Sequence, residues 1–239
     1  MQPIQLVLLP GLDGTGLLFG PLLQALPPEI APIVVPYPAG QPLGYAELLD
    51  LVLAALPRQG PYVLLGESFG GPLALRVAAR RPAGLRAVIL SASFVCCPYP
   101  MVPRWAAALL PVWPLRAFPA LSQMKALCGA YATPELGALT AQALALVRPA
   151  VLAQRMRAVI QVDVRAELAA CELPTLYLQG RHDLVVPAAN LQRMLRIKPD
   201  LQQVQIAAPH MLLQTRPQQA AAAIRDFIVE RMALDNDWQ

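Results

Sequence analysis

The stretch Tyr62-Val63-Leu64-Leu65-Gly66-Glu67-Ser68-Phe69-Gly70-Gly71 constrains the fold more than any other part of the chain. A short apolar run leads straight into G-x-S-x-G, and Pro72-Leu73-Ala74-Leu75-Arg76-Val77-Ala78 leaves it with helical character. A strand that becomes a helix within so few residues needs glycine on either side of the apex, because a Cβ there would collide across the tight turn. Gly66 and Gly70 meet that need and leave Ser68 at the apex in a strained backbone conformation. The bland alternative is an ordinary strand-to-helix loop in which Ser68 caps the helix.

The rest of the chain repeats this alternation. Residues 4–9, 32–36, 62–65, 87–90, 175–179 and 204–207 are short apolar runs bounded by Pro or Gly, and they predict fully buried parallel strands. Residues 43–56, 72–81, 188–195 and 218–232 have helical length and period; in the last, Ala220, Ala223, Ile224, Phe227, Ile228 and Met232 share one face. The fold class is therefore α/β, a mostly parallel sheet flanked by helices with right-handed crossovers. The alternation fails between Ala92 and about Ile160, where prolines cut the chain into pieces before helical stretches at 134–147 and 149–162. This predicts a core of residues 1–93 and 161–239 and a helical insertion of residues 94–160. An insertion that follows a strand at the carboxyl edge of such a sheet is placed to cover a ligand site, or else completes the core.

Composition narrows the function classes. In 239 residues, 56% are hydrophobic and 14% charged, against roughly 25% charged in an average soluble chain, which excludes an intrinsically disordered protein and makes one domain the default. Mean hydropathy is +0.46, yet Pro and Arg interrupt every run short of the ~20 apolar residues a membrane span requires. The N-terminus lacks a positive n-region and cleavage site and reads as a strand. Cys96, Cys97, Cys128 and Cys171 show neither C-x-x-C spacing nor a neighbouring histidine, so no metal site or disulfide framework is expected, and a cytoplasmic location suits them. The net charge of +4 comes from 17 Arg and 2 Lys against 15 acids, with no basic run of five, which gives no nucleic-acid footprint.

A serine hydroxyl is a poor nucleophile at neutral pH and needs a neutral imidazole to take its proton. The chain has two histidines. His210 sits between the last strand and the last helix, whereas His182 directly precedes Asp183 after the fifth strand. Side chains of adjacent residues diverge, so Asp183 is better placed to orient His210. Asp163 is a competing acid, with a local pairing to Arg165 or a helix cap as its alternative.

The order Ser68, Asp183, His210 is that of the α/β-hydrolases, and the chain resembles that superfamily over nearly its whole length. Gly66-Glu-Ser-Phe-Gly-Gly71, Gly180-Arg-His-Asp-Leu-Val-Val-Pro187 and Pro209-His210 carry the resemblance. It implies a helical cap before the acid-bearing strand and a Ser68–His210–Asp183 triad. It also implies an oxyanion hole built from the backbone N–H of Phe69 and, from the loop Pro10-Gly11-Leu12-Asp13-Gly14, that of Leu12. The sequence departs from the common pattern in carrying Pro10 where a histidine usually stands. The same loop is similar to that of plastid-type acyl-ester enzymes, which keeps acyl transfer open.

Nucleophilic acyl substitution follows from such a triad and requires no cofactor or metal. The insertion carries Arg104, Arg116, Lys125, Arg148, Arg155 and Arg157 against the single acid Glu135, and a basic surface attracts an acidic leaving group or carrier. The chain resembles capped esterases of the biotin pathway, which demethylate pimeloyl groups on acyl carrier protein and dock that acidic partner on a basic cap. Arg148, Arg155 and Arg157 are expected to share one helical surface, and Met101, Trp105, Leu109, Trp113 and Phe118 to line an acyl pocket. The expected activity is thus a serine carboxylic ester hydrolase. The alternatives are an acyltransferase, a thioesterase or a non-catalytic binding protein on the same fold.

Overall fold

Strands covered on both faces need near-continuous apolar sequence, and such strands form the middle of a six-stranded sheet. The computed structural model describes residues 3–99, 101–105, 107 and 127–234. Its strands are β1 (Ile4–Leu9), β2 (Ile30–Val34), β3 (Tyr62–Glu67), β4 (Leu85–Ser91), β5 (Thr175–Gly180) and β6 (Gln202–Ile206). They lie in the order β2-β1-β3-β4-β5-β6, every neighbouring pair parallel.

Alternate residues feed two cores. Val7 and Leu9 of β1, Leu64 of β3 and Val88 and Leu90 of β4 pack on one face against α2 (Tyr45–Ala55), α3 (Gly70–Ala79) and α7 (Ala189–Ile197). Leu6 and Leu8, Val63 and Leu65, and Ala87 and Ile89 pack on the other against α1 (Gly20–Ala25), α8 (Leu212–Thr215) and α9 (Pro217–Leu234). The helical face expected near the C-terminus is the one that packs: Ala220, Ile224, Phe227 and Ile228 are buried, with Ala223 and Met232 against them.

Full burial holds for the inner strands and fails at the edges. β2 and β6 have one neighbour each, and most of their residues are half-buried or exposed. Gln202, Gln203 and Gln205 suit that position, because a solvated edge tolerates amides that an inner strand would have to desolvate.

β4 and β5 are adjacent, so the chain leaves the sheet after Ser91 and rejoins it at Thr175. An antiparallel bridge between Cys96 and Asp163 joins the outgoing and returning chain, with Val164 N–H donating to the Val95 carbonyl at 2.8 Å. The described part of the insertion contains α4 (Pro134–Ala145) and α5 (Pro149–Gln161); α6 (Arg165–Ala169) follows. Pro134 and Pro149 open α4 and α5, where a missing N–H costs nothing, and the Thr133 hydroxyl caps α4 by accepting from Leu136 N–H. Val147, Val151 and Leu152 press this helical pair onto Leu12 and Ala39. Among the described residues no single helix is long and apolar enough to cross a membrane; α4 and α5 pass such a test only jointly, across a 99° bend.

Candidate active site

Three loops converge where parallel strands end, the edge at which open α/β sheets carry their ligands. The first is the turn after β3. Ser68 has φ +49°, a left-handed conformation that a side chain adopts only when its surroundings enforce it. A Cβ on Gly66 would lie 2.7 Å from the Gly70 carbonyl carbon, and one on Gly70 would lie 2.8 Å from the Pro10 carbonyl oxygen. Gly66 thus permits the turn itself, whereas Gly70 permits α3 to butt against the end of β1. Ser68 N–H continues the sheet by donating to Ser91 O at 2.8 Å, and Ser93 Oγ donates to Ser68 O at 2.8 Å. Ser93 is in turn fixed by Tyr177 of β5, whose hydroxyl accepts from Ser93 N–H at 3.0 Å and donates to Ser93 O at 2.8 Å.

Asp183 and His210 come from the turns after β5 and β6. The two turns are joined by His182 N–H donating to Ala208 O at 2.9 Å, and a Cβ on Gly180 would collide with the Ala208 and Pro209 carbonyls. Asp183 Oδ1 accepts from the backbone N–H groups of Val185 and Val186, each at 2.8 Å, and Oδ2 lies 2.9 Å from His210 Nδ1. A carboxylate held by two amides is acceptor only, so the proton of the neutral ring resides on Nδ1. Nε2 is then the free lone pair, 3.0 Å from Ser68 Oγ. The side chains of His210 and Asp183 are 9% and 4% exposed, which keeps water from competing for these bonds.

The competing groups lie elsewhere. His182 is exposed, its Nδ1 3.1 Å from the Tyr131 hydroxyl, and the Arg216 guanidinium lies over the Tyr131 ring, 4.7 Å from its centre. Asp163 pairs with Arg165 at 2.6 Å and accepts from Arg165 N–H, the local role open to it.

Leu12 and Phe69 flank the serine. A Cβ on Gly11 would stand 3.9 Å from Ser68 Cβ, which places the loop after β1 directly beside Ser68. Among the described residues, the N–H groups of Leu12 and Phe69 have no backbone or side-chain acceptor. The Phe69 ring stacks on Tyr45 at 4.5 Å and meets Tyr37 edge-on at 6.0 Å, and Tyr45 Oη donates to Phe69 O at 3.0 Å.

The arginines correct the sequence reading. Arg155 is 1% exposed and points inward, donating to the carbonyls of Leu12, Asp13 and Pro38 at 3.0, 2.6 and 3.1 Å. It cannot share a docking surface with Arg148, which is exposed at the start of α5, and Arg157 is half-buried. The physical reason is that the loop after β1 offers buried carbonyls that only a fork of donors satisfies together. Trp105 is 67% and Met101 91% exposed, whereas Trp113, Leu109, Phe118, Arg116 and Lys125 lie outside the described residues.

Glu67, directly before Ser68, escaped the sequence reading although a carboxylate ending an apolar strand is its own signal. Burial pushes its carboxyl up to about 7, with the negative charge of Asp13 adding to the effect, while the bond from Gln214 Nε2 at 2.8 Å and the proximity of His210 oppose it. Ser93 and Tyr177 carried no signal, because their contact joins segments far apart in sequence.

Comparison with known proteins identifies the fold and a family. A stretch of the polyketide synthase ThaQ of Burkholderia thailandensis is 26% identical over 259 aligned positions, covering 95% of this chain, and the chain spans 12% of that protein's length. The enol-lactonase of Burkholderia xenovorans LB400 superposes with a TM-score of 0.82 at 19% identity, over 96% of this chain and 92% of that one. A thermophilic esterase of Thermogutta terrifontis superposes with a TM-score of 0.78 at 23% identity, over 97% and 90%. These likenesses establish the α/β-hydrolase fold. The sequence model of one protein family, described as serine aminopeptidase, S33, matches residues 45–213.

Proposed function

The chain belongs to the serine aminopeptidase S33 family of hydrolases, and on that premise we propose that it is a serine carboxylic ester hydrolase acting through Ser68, His210 and Asp183. The observation that carries this reading is the continuous relay from Asp183 Oδ2 through His210 to Ser68 Oγ, at 2.9 and 3.0 Å. His210 Nε2 takes the hydroxyl proton as Ser68 Oγ attacks the ester carbonyl. Asp183 holds the ring in the tautomer this requires and stabilises the imidazolium. The N–H groups of Leu12 and Phe69 receive the oxyanion, and the imidazolium protonates the departing alcohol. Water then attacks the acyl-enzyme, with His210 again as base, and releases the acid.

Residues 94–160 act as a cap over this site on a core of residues 1–93 and 161–239, a division favoured by the Cys96–Asp163 bridge at the neck of the insertion. The substrate is a small-molecule acyl ester. Its finer form, a methyl ester of a chain on an acidic acyl carrier protein, draws on the basic insertion, with Arg148 and Arg157 as the docking cations and Arg155 no longer among them. A second reading, an acyl thioester as substrate, is favoured by the match to a protein named as a polyketide synthase; the same relay serves it.

Hydrolysis of p-nitrophenyl esters of increasing chain length by wild type and Ser68→Ala, with fluorophosphonate labelling and peptide mapping, tests the proposal. Labelling at Ser68 and turnover lost in the variant are expected. A wild type that shows neither turnover nor labelling would overturn it, and turnover of acyl thioesters alone would select the second reading.

A further inference from the structure

The loop after β1 is held almost entirely through its carbonyls, and the group that holds two of them comes from the insertion. Pro10 O accepts from Tyr37 Oη at 3.2 Å, and Gly11 O accepts from Gly14 N–H at 3.1 Å. Leu12 O and Asp13 O both accept from Arg155 Nη1, while Nη2 donates to Pro38 O. The guanidinium also lies over the Tyr37 ring, 5.4 Å from its centre. Each fixed carbonyl fixes a peptide plane, because the amide is rigid and trans. Four consecutive planes, from Pro10 to Gly14, are pinned in this way. The Leu12 N–H points opposite to Gly11 O within its plane, so it is directed out of the turn as long as the neighbouring planes stay put.

Room for the guanidinium is built into the sequence. Gly14 has φ +68°, and a Cβ there would lie 2.9 Å from the Arg155 Cζ and 2.7 Å from the Tyr37 ring. A buried cation is tolerated at this point because three carbonyl dipoles, the Tyr37 ring and the charge of the buried Asp13 carboxylate offset the loss of hydration, although Nε has no partner among the described residues.

The geometry points to Arg155 as a positioning residue: from helix α5 of the insertion it sets the oxyanion-binding loop on which Leu12 stands. The insertion is thereby part of the catalytic scaffold as well as its cover. This inference rests on the esterase reading and on Leu12 as an oxyanion donor. Loss of the guanidinium leaves the Leu12 and Asp13 carbonyls unpaired and lets the loop relax. Stabilisation that exists only in the transition state is what suffers, so kcat falls while KM is nearly kept.

The test uses the full chain and p-nitrophenyl butyrate, with Arg155→Met, Arg155→Lys and, as a control for loss of an arginine from the neighbouring α6, Arg165→Met. Affinity for an aliphatic trifluoromethyl ketone, which forms a tetrahedral adduct, is measured alongside, and thermal unfolding establishes that each variant is folded. Since one oxyanion donor is worth about 10² to 10³ in kcat, Arg155→Met is expected to lose roughly 30- to 300-fold in kcat, with KM within about threefold and adduct affinity falling in parallel with kcat. Lysine keeps the charge without the fork and should recover part of the loss; Arg165→Met should match wild type. Wild-type kcat in folded Arg155→Met, or a loss confined to KM with adduct affinity intact, would overturn the inference. Should Arg155→Met fail to fold, the kcat-against-KM split in Arg155→Lys decides. An inert wild type would instead overturn the esterase reading beneath it.

Discussion

Gln214 Nε2 donates to Glu67 Oε1 across 2.8 Å, tying the residue before Ser68 to α8, the helix that follows His210. The bond is buried, and desolvation pushes the Glu67 carboxyl up to about 7. The folded chain therefore holds a proton there that the unfolded chain, with an ordinary glutamate near 4.3, gives up. The contribution to stability is full below about pH 4 and is lost as pH rises through about 7. Over that interval the unfolding free energy should fall by on the order of 3 kcal/mol on account of this group. Glu67→Gln should flatten the corresponding part of a urea-denaturation series taken from pH 4 to pH 8. An unchanged slope in the variant would show that Glu67 is ionised throughout.

Asp183→Asn separates orientation from charge. The Val185 and Val186 amides require an acceptor, so the carboxamide oxygen faces them and its NH2 faces His210 Nδ1. Nδ1 must then accept, the ring proton moves to Nε2, and Ser68 Oγ loses its base. The expected drop in kcat is on the order of 10³ to 10⁴, with the melting temperature little changed. A loss below tenfold would mean that His210 does not depend on this carboxylate for its tautomer.

The sheet's centre was legible because β1, β3 and β4 are covered on both faces and must be apolar throughout. Edge strands break that rule: residues 204–207 read as a strand starting two residues late, since Gln202 and Gln203 look like loop. The relay was legible for a different reason, as an apex serine and only two histidines leave few arrangements. Arg155 was hidden because α5 shows three arginines in or beside it and nothing local tells which one turns inward. That depends on carbonyls of the loop after β1, which meet the helix only in the folded chain. Tyr177 was hidden likewise: in sequence it is one more apolar residue of β5, and its partner Ser93 belongs to another strand's exit.

The two histidines differ in every contact, which makes a paired comparison decisive. His182 is exposed against Tyr131, outside the relay, whereas His210 is buried between Asp183 and Ser68. His182→Ala is expected to keep kcat within about threefold, and His210→Ala to lose at least about 10²-fold, measured on the same ester. Equal losses would mean that His182 itself, and not only Asp183 beside it, acts on the reacting atoms.

Tyr177 supports the serine from beneath. Its hydroxyl satisfies both the N–H and the carbonyl of Ser93, and Ser93 Oγ in turn holds the carbonyl of Ser68 in the left-handed turn. Tyr177→Phe removes both bonds and leaves two buried backbone groups without partners, at about 1 to 3 kcal/mol each. Ser93→Ala removes only the bond to Ser68. The first variant should therefore lower both the urea midpoint and kcat, and the second should lower kcat with a smaller effect on the midpoint. Because φ +49° at Ser68 is maintained against its own preference, a turn released by either change relaxes away from His210. If both variants retained wild-type kcat while Tyr177→Phe alone lost stability, the hydroxyl would be a packing feature of β5 with no hold on the nucleophile.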